Sequence, residues 1–157
     1  MGPIVDKLAR LGEEKYSFPR PMIDSDDFNF SFSGLKSHVI NLNHNMKQRN
    51  ETVNVNNFCR SFQEAVTDVL VSKTMRAKKA NNIKQIIVVG GVAANSGLRQ
   101  KMRDRITDIP VYFPSIKYCT DNAAMIGIAG YYKYKKENKV DDFLLNGSSR
   151  LNINEEK

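Results

Sequence analysis

The chain has 157 residues, 41% of them hydrophobic and 26% charged, the balance of a soluble globular protein with enough chain for one modest domain. No apolar run is long enough to cross a bilayer, and the opening residues MGPIVDKLAR carry neither the apolar stretch nor the cleavage site of a signal peptide; Pro3 and Asp6 also spoil a myristoylation pattern. The net charge of +7, from 24 Lys+Arg against 17 Asp+Glu, suits a polyanionic partner such as RNA and equally suits a merely solvated basic surface.

In chain order, residues 3–12 read as a helix: Ile4, Val5, Leu8 and Leu11 recur at helical spacing, Pro3 suits the first turn and Gly12 a C-terminal stop. Residues 16–34 carry two prolines, then acids, then aromatics in strict alternation. That reads as extended chain, with Phe28, Phe30 and Phe32 on one face and Phe30 and Phe32 as core anchors. A helix starts near Ser33 with Leu35, Val39, Ile40 and Leu42 as its stripe, and the Asn-rich residues 43–57 read as a surface loop. Residues 55–79 give the clearest helix, with a broad apolar face and a basic C-terminal end that complements the helix dipole. Residues 86–89 form a short apolar run expected of a buried strand, ended by Gly90-Gly91. Asn95 or Ser96 caps the next helix, residues 109–113 form a second strand, and Asp121 or Asn122 opens a small-residue helix. The polar tail from 137 to 157 is expected to fray.

Chemistry has a few places to sit. After the first strand, the glycine pair lets a ligand approach the backbone. The following helix N-terminus favours an anion, and Asn95 offers donors and an acceptor to a ribose or base; a plain structural turn fits the same pattern. Asp121 either ligates a metal or caps its helix. Lys36 and Arg20 read as solvated charges with a lesser claim on a phosphate, and His38 and His44 as solvated residues without ligand spacing. Cys59 and Cys119 are far apart in sequence and read as buried free thiols of a reducing cytoplasm.

Taken together, several segments carry a resemblance. Gly2-Pro3 with Asp6 resembles the end of a Pro-Gly-Gly-Pro-x-x-x-Asp segment. Phe18-Pro19-Arg20-Pro21, Phe30-Ser31-Phe32-Ser33-Gly34-Leu35-Lys36 and Phe62-Gln63-Glu64-Ala65-Val66 follow in order. Val89-Gly90-Gly91-Val92-Ala93-Ala94-Asn95 and Cys119-Thr120-Asp121-Asn122-Ala123-Ala124-Met125-Ile126 complete the set. In this order, and over residues 2 to about 134, the chain resembles the tRNA threonylcarbamoyladenosine transferase family, formerly called O-sialoglycoprotein endopeptidases.

The resemblance implies an α/β fold, the C-terminal part of an actin/hexokinase-like arrangement of ribonuclease-H-like lobes. It places the lobe at 1–136, a helical insertion at roughly 3–80 and the strand–GG–helix core at 83–135. It implies transfer of a threonylcarbamoyl group from threonylcarbamoyl-AMP to N6 of the adenine beside the anticodon of tRNA. Gly2, Asp6 and Asn95 would hold the nucleotide, and Asp121 would ligate iron or zinc. Further implied partners are other proteins of the modification complex and a separately encoded N-terminal half. The family's His-x-x-x-His metal motif has no counterpart, since His38 and His44 are six apart. The expectation is therefore a C-terminal half, inactive and weak in metal binding alone, with apolar faces around residues 86–89 and 123–131 left open to association. A non-catalytic remnant or scaffold is the competing reading, and a sugar-kinase-like phosphotransferase a more distant one.

Overall fold

In a computed structural model of the chain, residues 2–147 are described. They form a mixed α/β structure that is mostly helical, and they separate into two compact units, one running to Thr120 and one starting at Asp121.

The first unit is organised around one long helix. Four helices and two short strands run in the order α1 (Gly2–Ala9), α2 (Ser33–Gln48), α3 (Val55–Ala80), β1 (Ile86–Ile87), α4 (Ser96–Arg105) and β2 (Val111–Tyr112). Helix α3 packs against both α1 and α4, so it must bury more than one face. Ala65, Val69 and Val71 are buried along it, and so are the polar Ser61, Gln63, Thr67 and Lys73. Each of these polar side chains has a partner, as burial without one costs roughly 1–3 kcal/mol. Ser61 Oγ accepts from the backbone of Lys15 and Tyr16 at 3.0 Å each and donates to Asn57 O at 2.8 Å. Thr67 donates to Gln63 O at 2.9 Å. Lys73, 1% exposed, places its ammonium on Ser25 Oγ at 2.6 Å and on the carbonyl and carboxylate of Asp27 at 2.9 Å each.

Two apolar clusters flank α3. On one side Val71 meets Leu98, Met102 and Ile106 of the α4 region, with Ile86 and Val111 from the strands. On the other, Phe18, Leu35 and Ala65 gather Tyr16, Phe58 and Phe62, with Phe18 edge-on to both phenylalanines. Each fully buried side chain of this size stabilises the fold by roughly 1.5–3 kcal/mol.

Several expectations need correction. Residues 43–57 are not one loop, because α2 continues to Gln48. Met46 is buried at its far end, and His44 bonds Gln48 one turn on, so the helix keeps an anchor through its polar stretch. No strand forms over 28–32, and Phe30 is not a core anchor, being 49% exposed, whereas Phe32 packs against the Phe18, Leu35 and Ala65 cluster. That segment is held by polar bonds instead, from Lys73 and from Arg76, which donates to the carbonyls of Ile23 and Ser25. Arg20 is no solvated charge: it pairs with Asp68 at 2.6 Å and Glu14 at 2.8 Å. The run 86–89 is not a buried strand. β1 and β2 pair in parallel over two residues each, and Ile87 and Val89 stand 62% and 70% exposed. An open groove of about 1220 Å³ runs past them, lined also by Val39, Ile40, Val66 and Leu70.

Gly12 has a reason beyond helix termination. A Cβ there would collide with the backbone of Asn56 and Asn57, where the chain crosses the start of α3 and Glu13 N donates to Asn57 Oδ1 at 2.9 Å. Cys119 is buried and Cys59 half-buried, both as free thiols, and burial pushes the Cys59 thiol pKa up. Among the described residues no helix is long and apolar enough to cross a membrane.

The second unit holds α5 (Ala123–Glu137), capped by Asn122, whose side chain accepts from Met125 N. Asn138, in the left-handed conformation, ends the helix. Ile126, Ile128 and Tyr131 are 67%, 53% and 52% exposed, so this unit does not bury its own apolar side chains. Part of the expected tail, residues 148–157, lies outside the described residues.

Candidate functional site

The N-terminus of α4 is where distant parts of the first unit converge. The chain leaves β1 through Gly90, at φ +90° where a side chain would be strained, and enters a 3-10 turn over Gly91–Ala94. Asn95 then takes an extended conformation and caps α4, its Oδ1 accepting from Leu98 N at 2.8 Å. The next residue, Ser96, is reached from the other end of the sequence. Asp6 of α1 accepts from Ser96 N at 3.1 Å and from Ser96 Oγ at 2.7 Å. Arg10, just past the end of α1, donates to Asp6 at 2.9 Å and to Ser96 Oγ at 3.0 Å. Burial pushes the Asp6 pKa up, but the hydrogen bonds from Ser96 and Arg10 and the Arg10 charge outweigh it, so the carboxyl is held below its ordinary value.

From the third side, Gln63 of α3 accepts from Asn95 Nδ2 at 2.7 Å. Below the turn, Arg99 ties its walls together, donating to Ala93 O at 2.6 Å, to Pro114 O at 2.7 Å and to Cys119 Sγ at 3.2 Å, with its guanidinium over the Phe113 ring. The result is a braced glycine turn with open space at Gly90 and Gly91, in front of a helix whose Ser96 and Leu98 N–H groups are already taken by Asp6 and Asn95, a setting that suits a hydrogen-bonding nucleoside better than a bare anion.

Of the residues expected to act, Asp6 and Asn95 are brought together through Ser96, ninety residues from Asp6. Gly2 is the first residue of the same helix as Asp6, one turn away and exposed, with open space where a Cβ would stand. Asp121 is exposed and opens the second unit, and the cap of α5 is Asn122 rather than Asp121. Among the described residues no three His, Cys, Asp or Glu side chains gather as a metal site would need, so Asp121 finds no co-ligands there. His38 and His44 are exposed on α2, His38 edge-on to Phe18 and His44 bonded to Gln48.

Three residues of the site escaped the sequence reading: Gln63, Ser96 as a ligand of Asp6, and Arg10. Gln63 left a signal, a long amide on a helix whose neighbours Phe62, Ala65 and Val66 are apolar. Ser96 and Arg10 left none, because exposed-looking polar residues at helix ends are ordinary.

Comparison with known proteins adds to this geometry. Residues 1–128 match the family model described as tRNA N6-adenosine threonylcarbamoyltransferase. The chain is 52% identical over 154 residues, 97% of its length, to the tRNA N6-adenosine threonylcarbamoyltransferase of Staphylococcus carnosus (strain TM300), of which the match covers 45%. It is 49% identical over 156 residues, 98% of its length, to the protein of that name from Staphylococcus aureus (strain JH9), of which the match covers 46%. The chain thus spans a little under half the length of these relatives and aligns with their C-terminal portion.

Proposed function

The chain belongs to the tRNA N6-adenosine threonylcarbamoyltransferase family, and from that premise we propose that it supplies the nucleotide side of the transferase site. The observation that carries this reading is the braced turn at the start of α4. Asp6 from α1 and Asn95 from the glycine turn meet there, and Gly2 opens the same helix as Asp6.

In the proposed reaction the N6 amine of an adenosine in tRNA attacks the carbamoyl carbon of threonylcarbamoyl-AMP. A C–N bond forms, the bond from that carbon to the phosphate oxygen breaks, AMP leaves and N6 gives up a proton. The part of this chain is to hold the adenylate. The exposed backbone around Gly2 and Gly90-Gly91 lets the nucleotide approach, and Asn95 keeps one N–H and one lone pair beyond its two bonds for a ribose or base. Holding the leaving group in place lowers the entropic cost of the transfer. The actin-like arrangement of lobes is part of the same proposal. Asp121 offers one oxygen ligand to iron or zinc, whose co-ligands would come from elsewhere than the described residues.

The test is reconstitution. The chain is mixed with the N-terminal portion of the Staphylococcus carnosus relative, supplied with threonylcarbamoyl-AMP and an ANN-decoding tRNA, and the modified nucleoside is measured by mass spectrometry. The proposal expects modification that needs both polypeptides and is lost in the Asn95→Asp variant, which keeps the cap on Leu98 N but offers no N–H to the nucleotide. No product from two folded halves would overturn it and favour a non-catalytic scaffold.

A further inference from the structure

We propose that Gln63 of α3 is a positioning residue that sets the Asn95 carboxamide for the nucleotide; this rests on the nucleotide-site reading above and deepens it. The backbone N–H of Leu98 can only donate, so the Asn95 atom it meets is the oxygen. The amide nitrogen of Asn95 therefore faces Gln63 and must find an acceptor there. Gln63 accordingly presents Oε1 at 2.7 Å and turns Nε2 toward Gly97. Gly97 leaves that place open, since a Cβ on it would run into Gln63 Nε2. One fixed donor, Leu98 N–H, thus dictates the orientation of two amides in series.

The arrangement is rigid because Gln63 is only 5% exposed and sits on the central helix, where Phe62 and Val66 pack in the apolar cluster beside it. A buried amide in such surroundings keeps its bond, for nothing else can satisfy it. Asn95 is left with one N–H and one lone pair in defined directions, the pairing that a ribose hydroxyl or an adenine edge complements. Without Gln63 the cap still forms, but the unheld NH2 swings with the amide plane. Gln63 acts on the nucleotide through Asn95 and does not touch it.

The experiment uses the full chain with AMP as the probe, and compares Gln63→Met, which keeps length but has no oxygen acceptor, with Gln63→Glu, which keeps one. AMP affinity is measured by calorimetry, and the Asn95 side-chain amide is followed in 15N–1H spectra of the ligand-free chain. In the wild type the two Asn95 amide protons are expected at shifts distinct from those of exposed asparagines. Gln63→Met should return them to exposed positions and weaken AMP binding about tenfold, the effect of one well-made hydrogen bond. Gln63→Glu should keep the Asn95 resonances near wild type, and only these are read in that variant, because a carboxylate buried beside an anionic ligand weakens binding on its own account. Unchanged Asn95 resonances in Gln63→Met, or wild-type AMP affinity in that variant, would overturn the proposal. Should the wild type and Asn95→Ala bind AMP equally, or neither bind, the nucleotide-site reading fails instead, and the resonances alone decide the Gln63 contact.

Discussion

Replacing Asn95 with alanine removes two hydrogen bonds of different kinds. The first is the cap on Leu98 N at 2.8 Å, whose loss costs about 1 kcal/mol. The second is the bond to Gln63 at 2.7 Å; losing it strands a buried acceptor, at about 1–3 kcal/mol. Together they predict a loss of about 2–4 kcal/mol. At roughly 3 °C per kcal/mol for a chain of this size, the melting temperature falls by roughly 6–12 °C. Asn95→Asp separates the two contributions from mere sensitivity of the site. Its carboxylate still caps, the helix dipole favours its charge, and Gln63 can reverse its amide to donate. The neighbouring Asp6 limits the gain but is itself held by Arg10, so Asn95→Asp should stay within about 1 kcal/mol of the wild type. Urea denaturation followed by far-ultraviolet circular dichroism measures both. An alanine variant within about 0.5 kcal/mol of the wild type, or an aspartate variant as damaged as the alanine, would refute the reasoning.

Gly12→Ala forces a Cβ into the backbone of Asn56 and should cost about 1–3 kcal/mol, whereas Gly34→Ala, with open space around it, should be neutral or slightly stabilising; equal melting temperatures for the two would sink the argument. The Asp6 carboxyl has a depressed pKa in the folded chain, so its stabilising effect is complete above the unfolded carboxylate value of about 4 and disappears as pH falls through the lower folded value. The stability gap between wild type and Asp6→Asn should thus hold steady from neutral pH to about 5 and close on further acidification; a gap that widens in acid would contradict this. Lys73→Met keeps the buried stem but removes the ammonium from Ser25 and Asp27, so amides in residues 23–29 should exchange faster by mass spectrometry while the middle of α3 does not change. Exposed Ile87 and Val89 beside the apolar groove should drive association, and lysine at both positions should shift light scattering toward monomer; a monomeric wild type at high concentration would rule this out.

The sequence announced what depends on local pattern. The period of α3, the glycine pair, and a polar cap at 95 or 96 and at 121 or 122 follow from local propensities, and the structure selects Asn95 and Asn122. It concealed what depends on partners far along the chain. Arg20 looked solvated because Asp68 is 48 residues away, and Lys73 looked like one more basic residue because Ser25 and Asp27 lie in an irregular segment without periodicity. The continuous apolar run at 86–89 signals a strand buried on both faces, but its burial depends on what covers it, and two paired residues on one side leave Ile87 and Val89 open. The candidate site was half legible for the same reason. Asp6 and Asn95 stood out by resemblance, whereas the bonds through Ser96, Arg10 and Gln63 that join them exist only in three dimensions.

Those bonds also change what the presence of each site residue means. Asp6 and Asn95 are structural members of the first unit, since one ties α1 to α4 and the other caps α4 and satisfies Gln63. A chain that had to fold but not to act would have reason to keep both. Gly2 and Asp121 carry no such requirement. A Cβ at Gly2 would meet nothing, so another residue would serve α1 as well, and the cap of α5 is already supplied by Asn122. Substitutions at Gly2 and Asp121 separate function from folding, while those at Asp6 and Asn95 perturb both at once.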